Sequence, residues 1–177
     1  AVDSAFTVDR SLRFNDDDSA YLNRTLGTAT DRNRFTFSFW VKRSNLGTSQ
    51  RLLVASDGSA STDEDDGSFF FTSSDQIKFS GNISDWRVTT QKFRDISSWY
   101  NIVLSVDTDQ STASNRIKIY VNGSEITSFS TSNNPSSGTN LAFNHSYAHY
   151  IGRLDTSSDH FDGYMAEINF IDGLQLT

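Results

Sequence analysis

The most constraining feature of this sequence is a strict alternation of large apolar and polar side chains over residues 34–43. In a β-strand, successive side chains point to opposite faces, so one face of this segment is apolar and the other is polar apart from Trp40. The apolar face consists of Phe35, Phe37, Phe39 and Val41. The pattern predicts a half-buried strand whose phenylalanine side chains fill a sheet core.

The same period of two recurs at residues 116–121 and 164–171. The first of these runs ends at Asn122-Gly123, the residue pair that best suits a type I′ hairpin turn, and predicts a return strand over residues 125–129. Shorter or more continuously apolar runs predict further strands at residues 11–14, 20–23, 51–56, 68–72, 76–80, 86–89, 99–107 and 148–153.

The composition agrees with many strands joined by turns. The 177 residues include 28 Ser, 17 Thr and 13 Asn, which favour caps and turns, and 14 Phe, 6 Tyr and 3 Trp, which can fill a core. Residues 59–67 and 130–140 are expected to be loops, and the only expected helix is a short one at residues 95–99. The sequence predicts a single domain over residues 1–177, all-β, built as an antiparallel two-sheet sandwich.

Several classes of function are disfavoured by charge and composition. A net charge of −7 argues against nucleic acid as a partner, because phosphate binding relies on clustered Lys and Arg. No apolar run approaches the roughly 20 residues of a membrane helix, so no membrane insertion is expected. The absence of Cys excludes disulfides and Cys-ligated zinc. Because the chain starts at Ala1 rather than Met, it is compatible with being part of a longer protein.

Four motifs in order carry a family resemblance: Phe35-Thr-Phe-Ser-Phe-Trp-Val41, Trp99-Tyr-Asn-Ile-Val-Leu104, Tyr120-Val-Asn-Gly123 and Phe161-Asp-Gly-Tyr-Met-Ala-Glu167. Together they resemble the laminin-G-like and pentraxin-like branch of the concanavalin A-like lectin/glucanase superfamily. The pattern departs slightly from that family after Trp99, which is followed by Ile102 and then Val103. The resemblance implies a concanavalin A-like jelly-roll sandwich, in a family that often binds calcium at its loop rim.

The C-terminal segment, residues 170–177, also resembles a subgroup common in the tail and appendage proteins of marine bacteriophages. This narrower resemblance implies a virion or extracellular location and a chain able to form homo-oligomers. It also implies two kinds of partner, a host-surface glycan and neighbouring virion proteins.

Catalytic residues are not expected. Glycoside hydrolysis needs two carboxylates about 5 to 10 Å apart, one of them kept protonated. The superfamily's glucanases carry Glu-x-Asp-x-x-Glu on one strand, and none of Glu64, Glu125 and Glu167 begins such a motif. The three histidines lack the spacing of a zinc site, and no Ser lies in a nucleophile elbow.

Glycan recognition needs an aromatic platform beside polar or charged side chains. Two segments offer this combination, one around Trp86 and Arg87 and the other at residues 144–150, which carries His145, Tyr147, His149 and the terminal Tyr150. Core packing is the alternative for each of these aromatic residues. We expect a non-enzymatic virion appendage module, of the tail-fibre or receptor-binding type, that recognises a host-surface glycan. The closest alternative is a virion structural or decoration module without sugar binding, and a glycan hydrolase is the least favoured.

Calcium is a candidate cofactor because the chain carries clustered carboxylates in loops. The main candidate ligands are Asp63, Glu64, Asp65 and Asp66, which offer the hard oxygen atoms that calcium prefers. Further clusters are residues 16–18 and the trio Asp155, Asp159 and Asp162. The alternative for every cluster is a solvated acidic loop, since the EF-hand spacing is absent.

Overall fold

The computed structural model describes residues 9–59 and 61–176, which form thirteen strands and one turn of 3-10 helix. In chain order the strands are β1 (Leu12–Phe14), β2 (Leu22–Thr25), β3 (Arg34–Arg43), β4 (Gln50–Ser56), β5 (Asp66–Phe71), β6 (Gln76–Gly81), β7 (Asp85–Lys92), β8 (Tyr100–Asp107), β9 (Ile117–Val121), β10 (Ser124–Glu125), β11 (Phe129–Ser132), β12 (Ala148–Ile151) and β13 (Gly163–Asp172).

The strands form two antiparallel sheets. The six-stranded sheet has the order β1-β13-β3-β8-β9-β10, and the seven-stranded sheet has the order β11-β7-β6-β5-β4-β12-β2. This arrangement confirms the predicted all-β, two-sheet antiparallel sandwich.

The core between the sheets is built on the predicted phenylalanine face of β3. Phe35, Phe37 and Phe39 are fully buried. Phe39 meets Phe69 of the opposite sheet edge to face, with 6.3 Å between the ring centroids. The alternation of residues 34–43 therefore places these rings where the sequence predicts, in the layer that joins the two sheets.

The predicted hairpin turn is confirmed, but its return strand is shorter than expected. Asn122 and Gly123 have φ angles of 50° and 77°, the two positive values that a type I′ turn requires. The return strand, β10, ends at Glu125, and the chain then crosses to the other sheet as β11. β11 lies in a segment expected to be a loop, because its Ser- and Thr-rich sequence gives little apolar signal.

The short helix expected at residues 95–99 is wrong. The Asp95 carboxylate instead accepts hydrogen bonds from the backbone N–H of Ser97 at 2.9 Å and from its hydroxyl at 2.5 Å. This local side-chain bond closes a turn that competes with a helix. Within the described residues, the helical turn lies at Ala113–Asn115 instead.

A bulge at Glu167 divides β13 into two parts. Ala166 pairs with Trp40 and Asn169 pairs with Ser38, so three steps along β13 match two along β3. Glu167 adopts a positive φ of 48° there. The extra residue resets the alternation, so Met165 faces the core before the bulge and Ile168 and Phe170 face inward after it.

Strand β12 lies between β4 and β2, one position from the edge of the seven-stranded sheet. His149 lines a space between the two sheets, so its neighbour Tyr150 faces the outer surface, opposite Val54 and Asn23. The loop after β12 is tied to β4, because the Asp159 carbonyl accepts the Arg51 N–H at 3.0 Å.

Candidate functional site

The structure places Trp86 and Arg87 inside the sandwich. Trp86 is 7% exposed and Arg87 is 2% exposed. The Arg87 guanidinium donates to the carbonyls of Trp86 and Ile117 at 2.9 and 3.2 Å, to the Asn133 carbonyl, and to Asn134 Oδ1 at 2.7 Å. Burial lowers the pKa of this guanidinium. The expectation that these residues form a sugar platform at the surface is therefore corrected.

A β-bulge explains why both neighbours are buried. Arg87 pairs with Phe79 and Asp85 pairs with Ser80, so two steps along β7 match one along β6. A bulge interrupts the strict alternation of faces and re-aims side chains. The charged residues on either side of Trp86 leave burial and exposure of the indole equally open, and a single sequence gives no signal for the bulge.

His145 and Tyr147 stack on one another immediately before β12. Their rings are 3.7 Å apart and nearly parallel, at 13°. Burial lowers the pKa of His145, and the positive charge of Arg32 lowers it further. The turn is anchored by the buried Asn144, whose amide donates to the Asp31 carbonyl at 2.7 Å. The structure thus brings two predicted glycan-site residues together as one partly exposed aromatic pair.

His149 has a different environment from His145 and Tyr147. The Asn144 backbone N–H donates to its Nε2 at 3.2 Å, which leaves Nδ1–H to donate to the Tyr147 carbonyl at 3.0 Å. Burial lowers the pKa of His149, in keeping with a neutral ring. His149 therefore holds the loop that carries the stacked pair and faces the space between the sheets.

A second aromatic group lies at the other end of β12 and consists of Tyr21, Tyr150 and Arg153, here called the Tyr–Arg cluster. The Arg153 guanidinium carbon lies 3.7 Å from the Tyr21 ring centroid and 4.8 Å from that of Tyr150. The two tyrosine rings are 6.4 Å apart. Tyr21 remains 40% exposed.

Sequence reasoning included Tyr150 in a candidate segment but missed Tyr21 and Arg153. Tyr21 directly precedes β2 and Arg153 follows β12. The pairing of these two strands, which joins Leu22 with Ile151, brings the two residues together. More than a hundred positions separate the two strands in the sequence. The alternation of β12 signals that Tyr150 faces outward, but only the pairing of β2 with β12 brings the other two side chains beside it.

Three of the four predicted calcium ligands, Asp63, Glu64 and Asp65, have separate protein partners. Asp63 Oδ1 accepts the backbone N–H groups of Ile83 and Ser84 at 2.8 and 3.0 Å. Glu64 forms an ion pair with Arg32 at 3.3 Å. The Asp65 carboxylate accepts a hydrogen bond from the Thr62 hydroxyl at 2.7 Å. Across residues 9–59 and 61–176, no group of three or more His, Cys, Asp or Glu side chains is arranged to hold a metal. Calcium binding stays a prediction.

Asp66 differs from the other acidic residues of this loop because it begins β5 on the outer face of the sheet. Its Oδ1 atom is buried without a hydrogen-bond partner. Burial, together with the nearby charge of Asp155, raises the pKa of Asp66 to about 6. Arg51 acts in the opposite direction, and Asp57 adds to the rise.

A cavity of about 690 Å³ opens between the sheets at the β2 edge. Leu22 and Ile151 line one wall, and Ile168 and Phe170, which follow the bulge of β13, line the other. Leu22 is 43% exposed and Phe170 is 37% exposed although both face this space. The edge of the sandwich is therefore open and largely apolar.

The fold and the exposed aromatic groups define a lectin-like sandwich. The chain belongs to the concanavalin A-like lectin/glucanases superfamily, since a laminin G family profile with this description matches residues 14–174. This membership confirms the predicted family and the jelly-roll fold. A search of curated protein sequences gave no match.

Solved structures of low sequence identity share the fold. Domains LG4-5 of the mouse laminin α1 chain align with a TM-score of 0.63 and 14% identity, over 100% of this chain and 46% of that chain. A heptameric SAP-like pentraxin from Limulus polyphemus aligns with a TM-score of 0.60 and 15% identity, over 89% and 71%. Domain 4 of AbnA, a GH43 extracellular arabinanase from Geobacillus stearothermophilus in complex with arabinotriose, aligns with a TM-score of 0.56 and 20% identity, over 85% and 65%. This chain thus spans less than two thirds of the laminin and arabinanase chains.

In the part of the chain that the structure describes, no helix has the length and apolar character to cross a membrane.

Proposed function

We propose that this domain is a non-catalytic glycan-recognition module that binds sugar along β12. The observation that carries the proposal is the Tyr–Arg cluster, in which Tyr21 and Tyr150 are held at the outer surface by Arg153. Aromatic faces pack against the C–H faces of sugar rings, and charged or amide groups beside them bind hydroxyls. The stacked His145–Tyr147 pair, immediately before β12, offers a second contact for a longer glycan.

The positions of the glutamates support a binding rather than a hydrolytic role. Glu64 is paired with Arg32 in the loop before β5, Glu125 ends the short strand β10, and Glu167 occupies the bulge of β13. A glycosidase brings two carboxylates to one cleft. Turnover of a polysaccharide that a single carboxylate substitution abolishes would contradict the non-catalytic proposal.

We further propose that the module is part of a virion appendage and works outside the cell. The support is the resemblance of residues 170–177 to the appendage proteins of marine bacteriophages. In this setting the ligand is a glycan of the host surface, and neighbouring virion proteins are the other partners.

The second candidate is a structural or decoration module that holds neighbouring protein chains and binds no sugar. Exposed apolar side chains favour it, namely Leu22 and Phe170 at the open edge and Leu174 and Leu176 in the segment after β13. A fold shared with a heptameric pentraxin adds support for contacts between copies of this chain. A glycan array without any binding signal, together with a large buried interface in the assembled particle, would favour this candidate.

The test is a glycan array probed with the wild type, with Tyr21→Ala and with Tyr150→Ala. Each substitution removes an aromatic face, so binding should fall at least tenfold while the melting temperature changes little. Tyr120→Ala, on β9 of the opposite sheet, is the matched control and should bind like the wild type. Equal binding by all four proteins would overturn this site, and no binding by the wild type would overturn the glycan proposal.

A further inference from the structure

Arg153 is held in position before any ligand arrives. Its guanidinium lies between the rings of Tyr21 and Tyr150, and its Nη1 donates to the Ser157 hydroxyl at 2.6 Å. An arginine fixed by stacking loses little conformational freedom when it forms further hydrogen bonds. The side chain is therefore preorganised for a ligand.

The same guanidinium has no carboxylate partner in the described part of the chain. Five other arginines form ion pairs there, namely Arg32, Arg34, Arg43, Arg51 and Arg94. The acids closest to Arg153 in sequence are engaged elsewhere, since Asp155 accepts the Ser56 hydroxyl at 3.0 Å and Asp159 pairs with Arg51 at 2.9 Å. Among the described residues, Arg153 Nε is buried without a hydrogen-bond acceptor.

A fixed, unpaired guanidinium beside an exposed tyrosine has the chemistry of a site for an acidic sugar. Arginine binds carboxylates through two parallel N–H···O bonds, which are stronger than hydrogen bonds between neutral groups. Tyr21 supplies an aromatic surface for the ring of the same sugar. Asn23, which pairs with Tyr150 across the β2–β12 ladder, places an exposed amide on the same outer face.

We infer that the Tyr–Arg cluster selects a glycan that carries a carboxylate, with Arg153 binding the carboxylate and Tyr21 packing against the sugar ring. This inference rests on the proposed glycan-binding function and names the chemical class of its ligand. The net charge of −7 does not oppose it at short range. Exposed charges farther apart than about 10 Å are largely screened at 0.1 M salt, whereas the Arg153 contact is direct.

The experiment measures the affinity for matched pairs of ligands by calorimetry in 0.15 M salt at pH 7. One pair is trigalacturonate and its methyl ester, and the other is sialyllactose and its methyl ester. Each pair differs only at the carboxylates, which esterification neutralises and extends by a methyl group, and the two pairs separate hexuronates from nine-carbon acidic sugars. The wild type should bind at least one acid ten times or more tighter than its ester.

Arg153→Gln should reduce this preference to below about twofold. Lys92→Gln removes the same charge from β7, which three strands separate from β12 in the sheet order, and should leave the preference unchanged. Arg153→Lys keeps the charge without the planar fork and should lower the preference at least threefold. If the Arg153→Gln protein is not folded by its melting curve, Arg153→Lys decides, and an unchanged preference then overturns the inference.

Failure of the inference is distinguishable from failure of the proposed function. Equal affinity of the wild type for acid and ester in both pairs, with binding of neutral glycans on the array, overturns the acidic-sugar assignment alone. A preference that persists in Arg153→Gln also overturns it. No binding of any glycan by the wild type overturns both proposals.

Discussion

Two arginines near opposite edges of the seven-stranded sheet have very different environments. Arg87 lies on β7, one strand from one edge, and Arg153 follows β12, one strand from the other edge. Each has aromatic neighbours. Arg87 points inward and donates to backbone carbonyls, whereas Arg153 stacks on tyrosines at the outer face.

The hydrogen-bond acceptors around each guanidinium explain this difference. An arginine removed from water can bind a ligand only with those N–H groups that protein acceptors leave free. Carbonyl oxygens from β7, β9 and the loop after β11 surround Arg87 and leave it few free donors. In the described residues, Arg153 has a single hydroxyl acceptor. The first arginine is therefore expected to maintain the fold, and the second is available for a ligand.

The largest effect that separates the two arginines is expected in stability. Arg87→Met removes the side-chain donor from the Ile117 and Asn133 carbonyls, which should lower the free energy of unfolding by about 3 kcal/mol. For a chain of this size that corresponds to a fall in melting temperature of roughly 6 to 12 °C. Arg153→Met removes the stacking on two tyrosine rings and one hydrogen bond to the Ser157 hydroxyl, and should cost about 1 kcal/mol. Equal losses, measured by thermal denaturation, would contradict the comparison.

A smaller effect is expected from Asp66, which lies on the outer face near the Arg153 loop. Because its pKa in the folded protein, about 6, lies above the usual value, the folded state binds more protons between pH 4 and 6 and loses stability as pH rises through that range. Asp66→Asn cannot ionise, so it should exceed the wild type in stability by about 1 to 2 kcal/mol at pH 7.5.

The same substitution should have no effect on stability at pH 4, where the carboxyl of the wild type is largely protonated in the folded protein. Denaturant unfolding of both proteins at the two pH values gives the measurement. A difference that is constant with pH would show that the Asp66 charge carries no cost in the folded state.

The smallest effect is expected from calcium, which tests whether the acidic loops at this end of the sheet bind a shared cation. With a dissociation constant of about 1 mM, 2 mM calcium would stabilise the folded chain by roughly 0.6 kcal/mol. The melting temperature should rise by about 2 °C and fall back on addition of a chelator. No shift up to 10 mM calcium would remove calcium as a cofactor of this domain.

Much of the fold could be predicted because its strands carry local signals. The phenylalanine face of β3 and the Asn122-Gly123 turn each depend on a few adjacent residues, and both are found as predicted. The short strands β10 and β11 were harder to predict, because exposed Ser and Thr give no periodic apolar pattern. Only their pairing with β9 and β7 defines these two strands.

The candidate site was less predictable because its geometry depends on bulges and on distant pairings. A bulge buries Trp86, whose charged neighbours in the sequence leave burial and exposure equally open. Tyr21 and Arg153 meet only through the β2–β12 ladder. The His145–Tyr147 pair was found as candidate residues, since both lie in one aromatic segment, but their stacking required the turn at Asn144.

The bulge at Glu167 means that β13 has one residue more than its pairing with β3 requires. Odd-numbered side chains such as Met165 face inward before the bulge, and even-numbered side chains such as Phe170 face inward after it. Deletion of Glu167 would remove the extra residue and restore one continuous alternation, in which Met165, Ile168 and Phe170 all still face inward. Loss of this exposed residue would thus straighten β13 while the side chains on both faces of the strand keep their sides.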